Sequence, residues 1–239
     1  MLVSTDAIII SKLKYGDSDV ILSCYTENSG IKSYLLKGVL KQRKGKFKPA
    51  YLQPLSLVHL NAVHKENRSL QKLQELKPIV HYVSLHTDIS KSTVVMFLSE
   101  ILQQLLKEEE RNESLYMFLS TSLQWLDQQE ISPNFHLLFL LRLTKYLGFY
   151  PDVTNLSGEF FNLESGKFES SKHDLYSISD NNLTLLKQLI GIKFDALNEI
   201  KVNSRQRQDF LNMILLYFEL HLGGFKKPRS LQILNQIFS

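Results

Sequence analysis

The chain has 239 residues of which 44% are apolar, so it can bury a core in one large domain or two modest ones, and disorder as its main state is excluded. Its net charge of +4 is modest. No run approaches the roughly 18 to 20 continuous apolar residues of a membrane helix. The N-terminus has neither the basic region nor the small-residue cleavage pattern of a secretory signal. These features predict a protein of the cytoplasm with no membrane partner.

The charge is unevenly distributed along the chain. Residues 1–80 contain 13 Lys and Arg against 6 Asp and Glu, whereas residues 81–239 contain 15 against 18. Clustered cations raise the local concentration of phosphate-bearing partners. The first third therefore reads as a module that faces a polyanion.

The first 80 residues show short apolar runs separated by turn residues, with many β-branched and aromatic side chains. Turn residues at 15–18 and 27–30 separate the first three runs. Cys24 shares a strand face with Val20 and Leu22, which predicts burial rather than reactivity. We predict five strands and a small barrel, with strands at 7–13, 19–26, 31–37, 55–62 and 70–76.

The hydrophobic period becomes helical after Pro78. Thr87 or Asp88 can cap a first helix, Asn112 a second, and Ser132 with Pro133 a third that ends at Gly148. Further helices are predicted at 181–190, 204–222 and 230–238. The helical period is lost at about 150–179, where residues 160–168 read as a small hairpin turning at Gly166. We predict two domains, 1–80 and 81–239, the second helical with this non-helical excursion.

Several segments, in order along nearly the whole chain, resemble the RecO family. The N-terminal ones are Tyr15-Gly-Asp-Ser-Asp19, Gly30, Lys37-Gly38 with a basic loop behind it, and Leu55-Ser-Leu-Val58. The C-terminal ones are Leu147-Gly-Phe-Tyr-Pro-Asp152, His221-Leu-Gly-Gly-Phe225 and Lys227-Pro-Arg-Ser-Leu231 with Leu234. The resemblance implies an α+β fold in which a five-stranded oligonucleotide-binding (OB) barrel precedes a helical domain with a hairpin insertion.

The same resemblance implies a function. It is that of a DNA repair and recombination mediator of the RecF pathway, which binds single- and double-stranded DNA, anneals complementary strands and assists recombinase on DNA coated with single-strand-binding protein. The implied partners are RecR, the acidic, apolar-tipped tail of single-strand-binding protein, and also RecF and the recombinase RecA, at the nucleoid. Many relatives carry a four-cysteine zinc site after Tyr150. This chain has no cysteine there, so we expect neither zinc nor another cofactor.

The strongest candidate site is the basic run between the third and fourth predicted strands. Lysines and arginines in a loop can bind phosphates with little sequence preference and release counterions, as strand annealing requires. Aromatic residues between them can stack on bases, or else pack against the barrel. The predicted DNA-binding residues are Lys41, Arg43, Lys44, Lys46 and Lys48, with Phe47 and Tyr51 between or beside them, and Lys12, Lys14 and Lys37 as an extension of the track. Tyr15 reads as structural.

A second candidate site lies in the helical region, where an apolar groove beside a cation would suit an acidic peptide tail. The available cations are Arg142, Lys145, Arg205, Arg207, Lys226, Lys227 and Arg229. Any of them can instead be a solvated surface charge.

No catalytic motif is found. The sequence has no glycine-rich phosphate loop, HExxH or G-x-S-x-G motif, and Asp17 with Asp19 lies in a turn that explains both carboxylates. We therefore predict a protein that is not an enzyme. Two alternatives stay open: an adaptor that docks peptide tails without binding nucleic acid, and a barrel that binds RNA.

Overall fold

A computed structural model describes residues 1–39, 41, 47–65, 67–107 and 110–239. Packing divides the chain into two compact units. The first unit comprises Met1–Glu130 with Pro228–Ser230, and the second comprises Ile131–Lys227 with Leu231–Ser239. The predicted boundary at residue 80 lies where the strands end and the helices begin. The compact units divide instead after Glu130, because the first two helices belong to the same unit as the strands.

The first unit contains a closed five-stranded barrel in the order β1-β2-β3-β5-β4. Its strands are β1 (Leu2–Tyr15), β2 (Asp19–Thr26), β3 (Gly30–Leu36), β4 (Leu57–Val63) and β5 (Leu70–Pro78). Neighbouring strands are antiparallel except β3 and β5, which are parallel and close the barrel. The five strands and the barrel expected from the sequence are thus confirmed.

Alternation along each strand fills the barrel interior. The inward residues are apolar, and Cys24 is fully buried among them, as its strand position predicts. The interior consists of Ala7, Ile9, Val20, Leu22, Cys24, Tyr34, Leu36, Val39, Leu52, Val58, Leu60, Ala62, Leu73 and Leu76. Asp19 is the first residue of β2 and accepts a hydrogen bond from the Gly38 backbone N–H (2.9 Å), so this carboxylate holds the turn after β3 and not the turn at 15–18.

Two helices complete the first unit: α1 (Ile89–Leu105) and α2 (Glu113–Gln128). Their N-caps are Asp88, which accepts from the Lys91 N–H, and Asn112, which accepts from the Leu115 N–H. Both caps agree with the sequence prediction. The α1 helix packs against β1, and the hydroxyl of Tyr25 on β2 donates to the Asn112 carbonyl (3.4 Å).

A buried polar cluster ties the segment after the barrel to α1 and α2. The Asp127 carboxylate accepts from the backbone N–H groups of Val83, Ser84 and Leu85 at 2.8–3.0 Å. The Lys91 ammonium is buried and donates to the Ser84 hydroxyl and to the carbonyls of Asp127 and Gln129. All three ammonium protons thus have acceptors, so the buried charge is compensated.

The second unit contains four helices and a small sheet. The helices are α3 (Phe135–Tyr146), α4 (Asp180–Leu189), α5 (Ser204–His221) and α6 (Leu231–Ile237). The helix α3 begins two residues later than Ser132 and Pro133 suggest. Its N-cap, Asn134, makes no capping bond because its side chain instead donates to the Ile200 carbonyl and accepts from Arg207.

The predicted hairpin is present and gains a third strand. Strands β6 (Phe160–Asn162) and β7 (Lys167–Glu169) pair across a turn at Gly166, and β8 (Ser177–Ile178) pairs with the other edge of β6. The sequence did not reveal β8 because two residues carry no periodic signal.

Aromatic packing holds this sheet onto α5. The Tyr217 hydroxyl donates to the Phe149 carbonyl (2.6 Å), and His221 contacts the Leu163 carbonyl through Nε2 (2.9 Å). The rings of Phe149 and His221 stack at 4.9 Å, and Phe161 lies 5.8 Å from Tyr217. Side-chain packing against α5 therefore holds the small sheet in place.

No helix of the described residues is both long and apolar enough to cross a membrane.

Replacing Asp127 by Asn should lower the free energy of unfolding by about 3 kcal/mol, because charge-assisted hydrogen bonds to three backbone donors are weakened together. Burial raises the Asp127 pKa, but the bonds from Val83, Ser84 and Leu85 outweigh it and leave the pKa below its ordinary value. The stabilisation is therefore full above the unfolded-state pKa of about 3.9 and is lost as the pH falls below it.

Urea unfolding from pH 7 to pH 3 measures this effect. The difference in stability between the wild type and the Asp127→Asn variant should become smaller toward the acid end. The exposed Asp17→Asn variant is the control, with an expected change within about 0.5 kcal/mol. Equal stability of the Asp127→Asn variant and the wild type at pH 7 would contradict the role of the cluster.

Gly166→Ala should destabilise the second unit by about 2–3 kcal/mol. Gly166 has φ of +68°, and an added Cβ would lie 2.8 Å from the Tyr217 hydroxyl oxygen. An alanine at position 166 would be strained in this left-handed conformation. Its Cβ would also displace the Tyr217 hydroxyl from its hydrogen bond. Gly191→Ala, with φ of +79° and open space around it, carries the strain alone and should cost about 1 kcal/mol. Thermal unfolding that gives both variants the same loss would refute the close approach of Tyr217.

Candidate nucleic-acid interface

A groove of about 870 Å³ lies on the barrel where β3 and β5 meet. The ladder between these strands has only three residue pairs, Ser33–Leu70, Tyr34–Gln71 and Leu35–Lys72. The groove is lined by residues of this short ladder, by residues just past its end, by Phe47 and by the loop that precedes β5. The lining residues are Leu35, Lys37, Val39, Phe47, Asn67, Arg68, Ser69, Leu70, Gln71, Lys72 and Leu73.

The charged side chains of this lining are all cationic. Lys37, Arg68 and Lys72 are exposed, and the described lining includes no carboxylate. Three positive charges around one concave surface create a local positive potential, and no carboxylate of the described lining opposes it. The groove is therefore suited to a ligand that carries negative charge along its length.

A buried amide positions the loop that brings Arg68 to the groove. Gln71 is only 7% exposed. Its Oε1 accepts from the Lys65 N–H (2.7 Å), and its Nε2 donates to the carbonyls of Lys65 (3.1 Å) and Arg68 (2.5 Å). One side chain thus satisfies three backbone groups of the turn, and the turn is held without a regular ladder.

An apolar row crosses the outer surface of the barrel and leads into the groove. Strand register places Leu13 opposite Ile21, Ile21 opposite Leu35, and Leu35 opposite Lys72. Leu13 is 63% exposed, and Tyr15, next on the same face of β1, is 52% exposed. An exposed apolar strip beside a cationic groove is typical of a surface that binds a partner.

A β-bulge in β1 determines which of its side chains lie on the outer surface of the barrel with this apolar row. The register of β1 on β2 shifts between Ile9 and Ser11, so that Lys12 pairs with Leu22 and Lys14 with Val20, both interior residues. Leu13 and Tyr15 consequently occupy the outer face. Lys12 and Lys14 are exposed, but they lie on the other face of the strand and do not line the groove.

The remaining residues of the predicted basic track are only partly described. Lys41 and Lys48 are exposed. Phe47 lines the groove and also packs on the barrel core, as Tyr51 does. Arg43, Lys44 and Lys46 lie outside the described residues.

A different part of the barrel surface carries a self-paired polar network. On the outer side of β1, β4 and β5, His59 contacts Asp6 through Nδ1 (2.6 Å) and Ser4 through Nε2 (2.9 Å). Next to it, Glu75 accepts from Asn61 (3.0 Å) and pairs with Lys77 (2.9 Å). The Ser4–His59–Asp6 connectivity matches a catalytic triad, but a triad also needs a substrate cleft and an oxyanion site. His59 and Asp6 are instead about 40% exposed on a strand surface.

In the second unit, the predicted tail-binding cations have different surroundings. Arg207 is half-buried and donates to Asn134, to the Phe238 carbonyl (2.7 Å) and to the Val202 carbonyl, so it holds α6 in place. Its desolvation lowers the Arg207 pKa, and burial together with its charge lowers the pKa of His136 to about 3.

The other predicted cations lie nearer the surface. The Arg142 guanidinium lies 5.2 Å from the Phe194 ring centre, and Lys145 is exposed one turn further along α3. Arg205, Lys226, Lys227 and Arg229 are exposed, and Arg229 belongs to the first compact unit.

A second groove, of about 450 Å³, adjoins Arg207. Its wall combines apolar and polar side chains, and it includes the exposed Lys201, which sequence reasoning did not select. The described lining consists of Ser132, Pro133, Asn134, Leu197, Asn198, Ile200, Lys201, Val202, Asn203, Gln206 and Arg207.

Comparison with known proteins gives a consistent result over the whole chain. Residues 1–82 match the family model "Recombination protein O N terminal", and residues 86–231 match "Recombination protein O C terminal". A protein named DNA repair protein RecO from Christiangramia forsetii is 48% identical over 238 residues. Proteins of the same name from Flavobacterium johnsoniae and Flavobacterium psychrophilum are 45% and 42% identical. All three alignments cover 100% of both chains. The chain therefore belongs to the RecO family.

Proposed function

We propose that this protein is a DNA repair and recombination mediator that binds single strands in the groove at the β3–β5 closure. The observation that carries the proposal is the concentration of Lys37, Arg68 and Lys72 around an apolar floor with no carboxylate in the described lining. Phosphate contacts from such cations give affinity without sequence preference. An apolar floor between them offers contact to bases, which are available only in unpaired strands.

Family membership supports the wider role. The relatives carry the name DNA repair protein RecO, and the sequence resemblance implies strand annealing and assistance to recombinase RecA on DNA coated with single-strand-binding protein. In this proposal RecR and RecF are further partners, duplex DNA binds through the same cations, and the protein acts at the nucleoid in the cytoplasm. The protein works by binding and placing strands, and not as an enzyme.

Simultaneous reversal of Lys37, Arg68 and Lys72 to Glu should weaken binding of a labelled thymidine oligonucleotide by about tenfold or more at low salt. Each lost phosphate contact should also reduce the slope of log affinity against log salt by about one. Fluorescence anisotropy across a salt series measures both quantities. Competition with a matched RNA oligonucleotide distinguishes a DNA site from an RNA site.

The matched control compares two single reversals on β5: Lys72→Glu in the groove lining and Lys77→Glu within the self-paired network. Lys72→Glu should weaken binding, whereas Lys77→Glu should leave affinity and slope nearly unchanged. If the two single variants lose affinity equally, the effect comes from net charge and not from the groove. A wild-type protein that does not bind at low salt would remove the mediator proposal and favour the adaptor.

We further propose that the second unit captures the acidic tail of single-strand-binding protein in the groove beside Arg207. Apolar Pro133, Ile200 and Val202 can contact an apolar tip, and Lys201 can pair with acidic residues or a terminal carboxylate. Arg207 shapes this groove through its backbone bonds, while Arg142, Lys145, Arg205, Lys227 and Arg229 are candidates for longer-range attraction of the tail.

Lys201→Glu should weaken binding of a synthetic tail peptide about fivefold to tenfold, because an attractive charge becomes a repulsive one. Lys172→Glu, on the exposed loop after β7, is the charge-matched control and should bind the peptide as the wild type does. Isothermal titration measures both. Equal affinity of all three proteins would place the tail elsewhere.

A further inference from the structure

One edge of β1 has no neighbouring strand over residues 11–15. The strand pairs with β2 as far as Tyr15, but with β4 only as far as Ile8. Two more backbone bonds, of 2.6 and 3.0 Å, join Ile9 to the segment before β4, and none of the described residues continues them. Every second residue of 11–15 therefore directs its N–H and C=O groups to a side where no described residue bonds them.

A turn before β4 explains why this edge stays open. The Ser56 N–H donates to the Gln53 carbonyl (3.2 Å), and between them Leu55 has φ of +60°, in the left-handed region. The Leu55 side chain is fully buried, so packing holds the backbone in this conformation. The chain thus reverses direction where a continued ladder would have covered β1.

The side chains of this open edge are divided between its two faces. Leu13 and Tyr15 are exposed on the outer face. Lys12 and Lys14 are exposed on the opposite face, and neither pairs with a carboxylate of the described residues. A strand added here would meet apolar side chains on one face and positive charge on the other.

We propose that residues 11–15 receive an extended segment of a partner protein, in which apolar side chains alternate with carboxylates, as an additional strand of the barrel. Main-chain hydrogen bonds give such a complex its affinity, and the alternating side chains give it specificity. The apolar residues of the segment contact Leu13 and Tyr15, and its carboxylates face Lys12 and Lys14. An edge of about 17 Å matches a segment of about five residues.

The outer face of the barrel favours this arrangement. Leu13 lies opposite Ile21, and Ile21 lies opposite Leu35, so a row of apolar contacts already runs across three strands and ends at the open edge. An apolar residue of the added strand would extend the row by one cross-strand pair and cover Leu13. The inference goes beyond the proposed function, because it does not depend on binding of nucleic acid.

Nucleic acid is a competing occupant, because Lys12 and Lys14 can attract phosphates. A strand edge presents both N–H and C=O groups, however, and phosphate oxygens only accept hydrogen bonds. An extended peptide satisfies the donors and the acceptors together. Binding of an oligonucleotide at this edge is therefore an outcome of the test and not the proposal.

A second copy of this chain is also less suited to the edge. Pairing that brings Leu13 and Tyr15 of the two copies together also places lysine opposite lysine on the other face. Like charges directly opposite each other destabilise a sheet, and lysines on an edge strand commonly prevent such self-association. A segment with carboxylates at those positions replaces the repulsion by attraction.

The test uses a labelled synthetic peptide of about eight residues in which valine alternates with glutamate, long enough to span the edge. A peptide of the same composition, with its valines in one block and its glutamates in another, is the pattern control. Fluorescence anisotropy with the full-length protein should show that the alternating peptide binds about tenfold more tightly, because only alternation places each side chain on the matching face.

Charge reversal tests the lysine face. The double variant Lys12→Glu with Lys14→Glu should weaken binding of the alternating peptide about tenfold, because two attractive charges become repulsive. The matched control is Lys77→Glu with Lys172→Glu, two reversals elsewhere on the surface, which should bind the peptide as the wild type does. On the apolar face, Leu13→Ser should weaken binding and Ile79→Ser, at another exposed residue, should not.

Two N-methylated forms of the alternating peptide test the main-chain bonds. One form is methylated at the valine amides and the other at the glutamate amides. An extended segment directs only alternate amides toward the edge, so one form should bind as the parent peptide does and the other about tenfold or more weakly. Equal affinity of the two forms would overturn the addition of a strand.

The remaining results also decide between occupants. Absence of binding, equal affinity for the block peptide, or equal loss in the two double-reversal variants overturns the proposal. Peptide affinity that is lost in Lys201→Glu and kept in the Lys12 and Lys14 variant would place the peptide in the groove beside Arg207 and overturn it as well. Unfolding midpoints establish that each variant is folded.

The same variants separate this proposal from the proposed function. If reversal of Lys12 and Lys14 lowers affinity for a thymidine oligonucleotide as much as the triple variant does, the edge binds nucleic acid and the peptide proposal is overturned. If oligonucleotide binding keeps its wild-type strength while peptide binding is lost, the edge and the groove are separate sites, as proposed. Failure of the wild type to bind the oligonucleotide removes the proposed function and leaves the peptide result to stand by itself.

Discussion

The short parallel ladder between β3 and β5 is the constraint on which the candidate site depends. Four of the five strand junctions in the barrel are antiparallel and long, but the closing one has only three residue pairs. Beyond these three pairs the two strands part, and no further ladder joins their described residues. The groove lies at that position, and the buried Gln71 side chain bonds the backbone of Lys65 and Arg68 beside it.

Charged side chains have different surroundings on two parts of the barrel surface. On β1, β4 and β5, outward carboxylates are met by His59, Asn61 and Lys77, so this surface is neutralised from within. Around the β3–β5 closure the described lining has three cations and no acidic partner. Among the described residues of the barrel, one surface thus pairs its charges internally, whereas the groove lining presents three cations without a carboxylate.

Much of the fold could be predicted from local pattern. Strand alternation gave the barrel, and Asp88, Asn112 and Gly166 marked two helix starts and the hairpin turn, since caps and left-handed turns depend on neighbouring residues alone. The candidate site was harder to predict from the sequence, because its residues are brought together by the pairing of distant strands. Arg68 and Lys72 are distant in sequence from Lys37, and only the parallel β3–β5 pairing brings them together.

Other structural features were not predicted from the sequence, because they depend on residues far apart in the chain. Without the bulge after Ile9, Lys12 and Lys14 would face the outer surface; with it, Leu13 and Tyr15 do. Lys91 and Asp127 look like solvated helix charges in the sequence, yet burial and backbone bonds make them a structural cluster. Arg207 likewise reads as a surface cation, whereas its three acceptors lie inside the second unit. Such roles require the position of partners many residues away.

Hydrogen exchange of the full-length protein, with and without a thymidine oligonucleotide, tests the central claim most directly. Strand binding at the closure should slow amide exchange in residues 33–39 and 67–73, while β4 and α2 exchange as in the free protein. Protection confined to residues 131–227, with none at β3 or β5, would show that the nucleic acid binds elsewhere and would contradict the account.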